Sequence, residues 1–231
     1  MMNEVLEVKF SGWTATPRMP FILSGNAICL PVPTYSLLLG MLGCCLGRII
    51  KPKEIKIGFN YNYDTVAYDL EKRQRLEFDG KRLREHHKGG DVYTREYHIN
   101  PFLTVWLDRI DWEVYFLSPI GTPSLGRSQD ILKIESVKRM PVKEISSAKL
   151  CGCMLPYKIG MNVAGQLVQL AEAYNENEQI GSGRTPLRVT TFIAIPPMSY
   201  DISAHSINEI SMPSLYSTMG EDKKDFYLHI F

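Results

Sequence analysis

The stretch Pro31–Arg48, PVPTYSLLLGMLGCCLGR, constrains this chain more than any other. Pro31 and Pro33 bar a helix upstream, so one starts here, with Pro33 as its first residue or Thr34 as its cap. Leu37, Leu38, Met41, Leu42 and Cys45 recur at spacings of one, three and four, which predicts a largely buried helix. Gly40, Gly43 and Gly47 lie three and four apart and share one face. Each glycine inside a helix costs roughly 1 kcal/mol relative to alanine, so the stripe calls for close approach of another backbone. A helix laid tightly on a sheet supplies that. A phosphate near the helix start, drawn by unpaired N–H groups, is compatible with it.

The uncharged run Phe21–Gly47 raises the question of a membrane. Ser24, Asn26, Pro31 and Pro33 interrupt it, leaving about a dozen continuously apolar positions, too few to span a bilayer. It is core, and no membrane partner is expected. At 231 residues the chain can bury a sizeable core, as one large domain or two small ones. A net charge of +1 excludes a global nucleic-acid-binding signature, so any such role rests on local basic patches. The five cysteines, Cys29, Cys44, Cys45, Cys151 and Cys153, are scattered and do not form a disulfide framework. Cys151-Gly-Cys153 lacks a second pair or histidines at ligand spacing, so no metal and no cofactor are expected. A reduced, cytoplasmic location is expected, and MMNEVLEVKF has no basic start followed by an apolar run of the secretory kind.

In chain order, Glu4–Phe10 alternates as a strand, and Ser11–Pro20 is a loop whose Thr14, Thr16 and Arg18 are either ordinary solvated loop residues or contacts for a ligand at this mouth. Ile55–Tyr63 alternates cleanly as a half-buried strand, and Val92–Leu107 is a second strand-like run in which Pro101 argues for an edge or bulge. Between them Asp69–Asp91 is polar and reads as the tip of a long projecting hairpin, about 64–95. Its tip carries Lys72, Arg73, Arg75, Lys81, Arg82, Arg84, Lys88 and Arg95 with His86 and His87, partly offset by Glu77, Asp79, Glu85 and Asp91. That is either a solvated mixed-charge loop or a thumb that grips a phosphate backbone. Ile110–Leu117 reads as a short helix, Ile120–Asp130 as a tight glycine-bearing turn, and Ile131–Val142 as a strand. Val163–Tyr174 has the spacing of an amphipathic helix, Gly181-Ser182-Gly183 reads as a break, and Leu187–Ile195 and Phe226–Phe231 read as strands. The order through residue 142 is βαββαβ. The fold class is therefore α+β: a ferredoxin-like, RNA-recognition-like open sheet over 1–147, with a smaller appended unit over 148–231.

Three features in register resemble the Cas-five subunit of type I CRISPR Cascade complexes, with a I-B-like member the nearest in kind. They are Gly12-Trp13 with the Pro17-Arg18 loop after the opening strand, the Pro31-Val-Pro33-Thr-Tyr35-Ser36 approach to a glycine-bearing helix, and Pro123-Ser-Leu125-Gly126-Arg127-Ser128-Gln129-Asp130. The likeness covers residues 1–142. It implies a subunit that holds the 5′ handle of CRISPR RNA and caps one end of the complex. Its partners would be Cas-seven backbone and Cas-eight large subunits, with target DNA met through the complex. By the same resemblance Arg18, Tyr35, Ser36, Gly126, Arg127 and Ser128 would lie near the handle, and Lys81, Arg82, Arg84 and Lys88 along the thumb. The aromatic motif with which ordinary RNA-recognition modules stack bases is missing, so phosphate, 2′-hydroxyl and loop contacts are expected.

One branch of that family cleaves precursor CRISPR RNA without metal, which requires a base for the 2′-hydroxyl and an acid for the leaving oxygen. His86, His87, Lys88, Tyr93 and Tyr35 are the residue types available for such a metal-independent endoribonuclease. A small-ligand enzyme on the same sheet is a further class. It would need a phosphate loop, paired histidine ligands or a nucleophile elbow, and the sequence has none of these motifs.

Overall fold

The opening strand β1 (Glu4–Gly12) shows how the core divides. Leu6, Val8 and Phe10 face one side with a large apolar cluster, while Val5 and Glu7 face the other toward Trp106. The computed structural model describes residues 2–20, 25–176, 183–198, 209–220 and 222–231. After β1 come the short strands β2 (Thr14–Ala15) and β3 (Asn26–Ala27), then helix α1 (Tyr35–Leu46). Thr34 is the cap: its side chain accepts from the Leu37 N–H at 3.1 Å. The helix stops at Gly47, whose φ of +66° is left-handed backbone that glycine adopts at little cost.

The glycine stripe is only partly explained by close packing. A Cβ on Gly40 would meet nothing within 4 Å, whereas one on Gly43 would lie 2.8 Å from the Arg48 carbonyl oxygen. The tight approach comes instead from Ile120 and Gly121, whose N–H groups donate to the Cys45 and Cys44 carbonyls at 2.9 and 3.1 Å. The first satisfies an acceptor of the last helical turn, and the second adds a donor to the Cys44 carbonyl, which also accepts from the Gly47 N–H at 3.2 Å.

Strand β4 (Lys56–Asn62) leads into the hairpin of β5 (Thr65–Arg73) and β8 (Asp91–Ile99), paired from Thr65↔Ile99 to Arg73↔Asp91. Strands β6 (Leu76–Phe78) and β7 (Leu83–Glu85) extend it as a small two-stranded tip. Asn100, with φ +50°, and Pro101 end β8, so the single run read over Val92–Leu107 is two strands in different sheets. The second is β9 (Phe102–Leu107), followed by the short helix α2 (Glu113–Leu117) and the long strand β10 (Leu132–Lys149).

The remaining strands are β11 (Cys153–Pro156), β12 (Gln166–Glu176), β13 (Arg184–Ile195), β14 (Glu209–Thr218) and β15 (Asp225–Ile230). The sheet expected to be open is a closed barrel in the order β1-β10-β14-β15-β4-β9. β14 pairs with β10 and β15 with β4, so two strands of the 148–231 segment complete the barrel. β10 itself runs through the boundary expected at residue 147. Inside the barrel Trp106 stacks on Phe226 at 4.4 Å and donates Nε1–H to Glu7 at 2.9 Å. Gly58 makes room for that pair, since a Cβ there would sit 2.6 Å from the Phe226 ring.

The helix read over Val163–Tyr174 is a strand. β12 pairs with β13 from Gln166↔Ala194 to Glu176↔Arg184, and β13 supplies the β-branched Thr185, Val189, Thr190, Thr191, Ile193 and Ile195 as template. Leu170 is buried while Leu167 and Tyr174 are exposed, so the helical spacing does not mark the buried face. Of the expected break at 181–183, Gly181 and Ser182 lie outside the described residues. The β11-β13-β12 sheet packs through β12 on α1. Among the described residues no helix is long and apolar enough to cross a membrane.

Candidate nucleic-acid interface

The turn after α2 is built around Asp130, which is fully buried. Thr14 and Thr16 donate their hydroxyls to it at 2.7 and 2.5 Å, and the Arg127 N–H donates at 2.9 Å. Arg127 also closes its side chain on the carboxylate, through Nε at 3.1 Å and Nη2 at 2.9 Å. Burial pushes the Asp130 carboxyl up, but the hydrogen bonds from Arg127, Thr16 and Thr14 outweigh it and hold it below the usual carboxylate value. The Thr14 and Thr16 hydroxyls, read as solvated or as ligand contacts, are thus committed to the protein.

Gly126 belongs to the same construction. Its φ is +119°, and a Cβ there would fall 2.3 Å from both the carbonyl and the hydroxyl oxygen of Thr16. Leu125 anchors the turn in the core and exchanges backbone bonds with Thr16 and Asp130. The leucine-glycine-arginine-serine-acid run is first a docking turn. Gly126, Ser128 and Gln129 are its exposed residues, while Arg127 is about a quarter exposed (24%). Two of the five donors of a guanidinium are used on Asp130, leaving three for a phosphate oxygen.

Strand β8 gathers residues that are far apart in sequence. The Arg127 guanidinium lies 5.8 Å from the centre of the Tyr97 ring. Ala15 pairs with His98 and Ala27 with Arg95. Arg18 bridges to Cys29, whose thiol donates to the Glu96 carbonyl at 3.2 Å. Arg18 and Arg127 therefore meet the root of the hairpin. Arg95 is held there by Glu71 and the Tyr93 hydroxyl, and the hydrogen bond from Arg95 chiefly lowers the Glu71 pKa.

Along the hairpin, Arg75 pairs with Asp91 and Arg84 with Asp79. Lys72, Arg73, Lys81, Arg82 and Lys88 are exposed and make no ion pair among the described residues. They are the cations a phosphate backbone can reach.

Tyr35 corrects the sequence reading. It is 2% exposed, donates its hydroxyl to the Met154 carbonyl at 2.6 Å, and stacks on His229 at 4.1 Å. Burial raises its pKa well above the ordinary phenol value. It is a core residue, with its ring and hydroxyl enclosed by protein. Ser36 is half-buried beside the Thr34 cap, with the two hydroxyls 3.0 Å apart. His86, His87 and Lys88 sit at the hairpin tip and Tyr93 lies on β8, so the five residues of the cleavage reading are split between tip, strand and core. Sequence reasoning missed Asp130 as the hub and Tyr97 as the ring under Arg127. The acid of the motif was the signal for the first, and nothing local marks the second.

Solved structures similar to this chain over most of its length include the following two. A chain described as a CRISPR RNA-guided surveillance complex superposes with TM-score 0.56 at 15% identity, covering 84% of this chain and 90% of that one. A CRISPR protein from Archaeoglobus fulgidus gives TM-score 0.51 at 9% identity, covering 99% and 100%. The chain has a Cas-protein fold. At these identities the likeness is one of fold. No protein-family model matches the sequence, and no curated protein does.

Proposed function

We propose that this chain is a Cas-five-like subunit of an RNA-guided CRISPR complex. It binds the 5′ handle of CRISPR RNA and caps a row of Cas-seven subunits, with a Cas-eight subunit beside it and target DNA met through the complex. The observation that carries this reading is the fold shared with a chain of a CRISPR RNA-guided surveillance complex over most of both lengths. We read the β10-β1-β9-β4 part of the barrel as the ferredoxin-like element of that fold. The Arg127 turn and the exposed lysines and arginines of the hairpin fit a single-stranded handle held by its phosphates.

The test uses the purified chain, a 5′-labelled CRISPR repeat RNA and excess EDTA, run on native and denaturing gels. A native shift with intact RNA is the expected result. A discrete product that disappears with His86→Ala and His87→Ala combined would replace this reading by the processing ribonuclease. Neither a shift nor a product, with Cas-seven subunits also present, overturns both.

A further inference from the structure

The hairpin tip carries a cluster that binding of the RNA handle does not use. Glu77 lies on β6, and the chain returns after β7 into a turn in which the Gly89 N–H donates to the His86 carbonyl at 2.8 Å. The His86 N–H donates to the Arg75 carbonyl at 2.9 Å, so the strand pairing continues into that turn. Gly89, with φ +66°, lets the turn close. Adjacent His86 and His87 are thereby held side by side, ring centres 4.2 Å apart, opposite one carboxylate.

We propose that Glu77, His86 and His87 form a transition-metal site of the zinc type. Glu77 Oε2 lies 3.8 Å from His86 Nε2 and 3.8 Å from His87 Nδ1. Bonds of about 2.0–2.2 Å in a tetrahedral site place ligand atoms about 3.4 Å apart, so each of these two pairs closes by less than about half an ångström, and all three ligand atoms already lie within 4.8 Å of one another. Two imidazoles and a carboxylate suit Zn²⁺ or Co²⁺ and do not suit Mg²⁺ or Ca²⁺, which take oxygen donors. His87 and Glu77 are exposed, so the fourth position is open to water or to a donor from a neighbouring molecule. The metal ties the strand carrying Glu77 to the turn carrying both histidines. His86 Nδ1 now accepts from the Lys88 N–H at 3.2 Å, and ligation through Nε2 puts the ring proton on Nδ1 and releases that amide.

The experiment titrates Co²⁺ into the full chain, stripped of metal and free of RNA, and reads visible d–d absorption. One equivalent is expected to bind, Zn²⁺ to displace it, and Zn²⁺ to shift the Lys88 amide resonance. Glu77→Gln and His87→Ala are each expected to weaken binding at least about tenfold, with unchanged thermal unfolding of the metal-free protein. Absent absorption, unaltered affinity in both variants, or thiolate-to-cobalt charge transfer pointing to cysteines would overturn the site. Because no RNA is present, failure here leaves handle binding untouched.

Discussion

Arg127 closes on the carboxylate of Asp130 through two side-chain nitrogens, and Asp130 is fully buried. This pair links the turn to β2 and to the Tyr97 ring on β8. Removing the arginine strips a buried carboxylate of its countercharge. We expect Arg127→Ala to cost about 2–4 kcal/mol of stability, somewhat below the range for a fully buried pair because Arg127 is partly exposed. Handle affinity should fall by about 1–3 kcal/mol as well. Denaturant unfolding beside RNA titration separates the two effects; unchanged stability would contradict the clamp.

Gly126→Ala forces a Cβ against the Thr16 carbonyl at a backbone angle that L residues avoid. A loss of at least about 2 kcal/mol is expected. If calorimetry finds the variant as stable as the parent, Thr16 does not approach the turn as described.

The exposed tip cations should behave in the opposite way. Changing Lys81, Arg82 and Lys88 together to alanine should leave stability within about 0.5 kcal/mol. The dependence of log affinity on log salt should become shallower by about 0.7 for each phosphate of single-stranded RNA that the variant no longer neutralises. An unchanged salt slope would remove the tip from the interface.

Tyr35→Phe deletes the hydroxyl that bonds the Met154 carbonyl and leaves the ring in place. About 1–3 kcal/mol of stability should go, because a buried acceptor loses its donor. RNA affinity should not change; a selective loss of binding or cleavage would restore Tyr35 to the site.

His98 makes stability pH-dependent. It is buried, its Nδ1 lies 2.9 Å from the Tyr61 hydroxyl, and burial lowers its pKa from about 6.5 to about 3. Below pH 6.5 the unfolded chain takes up a proton that the folded chain refuses, so stability present above 6.5 declines as pH falls toward 3. The slope from this residue is about 1.4 kcal/mol per pH unit. Unfolding curves at pH 7 and pH 5 should converge in His98→Gln relative to the parent; parallel behaviour would show that His98 does not stay neutral.

The long hairpin and the buried helix were legible because each rests on local signals, alternation and proline placement, and these narrowed the helix start to Pro33 or a Thr34 cap, of which the structure has the cap. Val163–Tyr174 was misread because its apolar spacing suits a helix, while pairing with the β-branched β13 decides for a strand. The site was half legible. The run Leu125–Asp130 stood out by residue type, yet its meaning depends on Thr14 and Thr16, more than a hundred residues away (|i−j| of 116 and 114 from Asp130). Tyr35 stood beside the paired prolines at the helix start, and only packing shows its ring enclosed by Phe59, Phe192 and His229.

By itself, the amino-acid sequence determined which segments are apolar, where helix α1 begins, where the hairpin projects and which charges lie along it. These follow from backbone sterics and the two side-chain periodicities, which act over a few residues. Tertiary structure alone decided that β14 and β15 close the sheet into a barrel, that Arg127 faces Asp130 before it faces any ligand, and that Glu77 meets two histidines. The barrel depends on strands from distant parts of the chain, and no local preference encodes which distant partner a strand will meet. Arg127 and Asp130 are only three residues apart, but Thr14 and Thr16 hold the carboxylate in place, and Glu77 meets the histidines through the register of the hairpin tip.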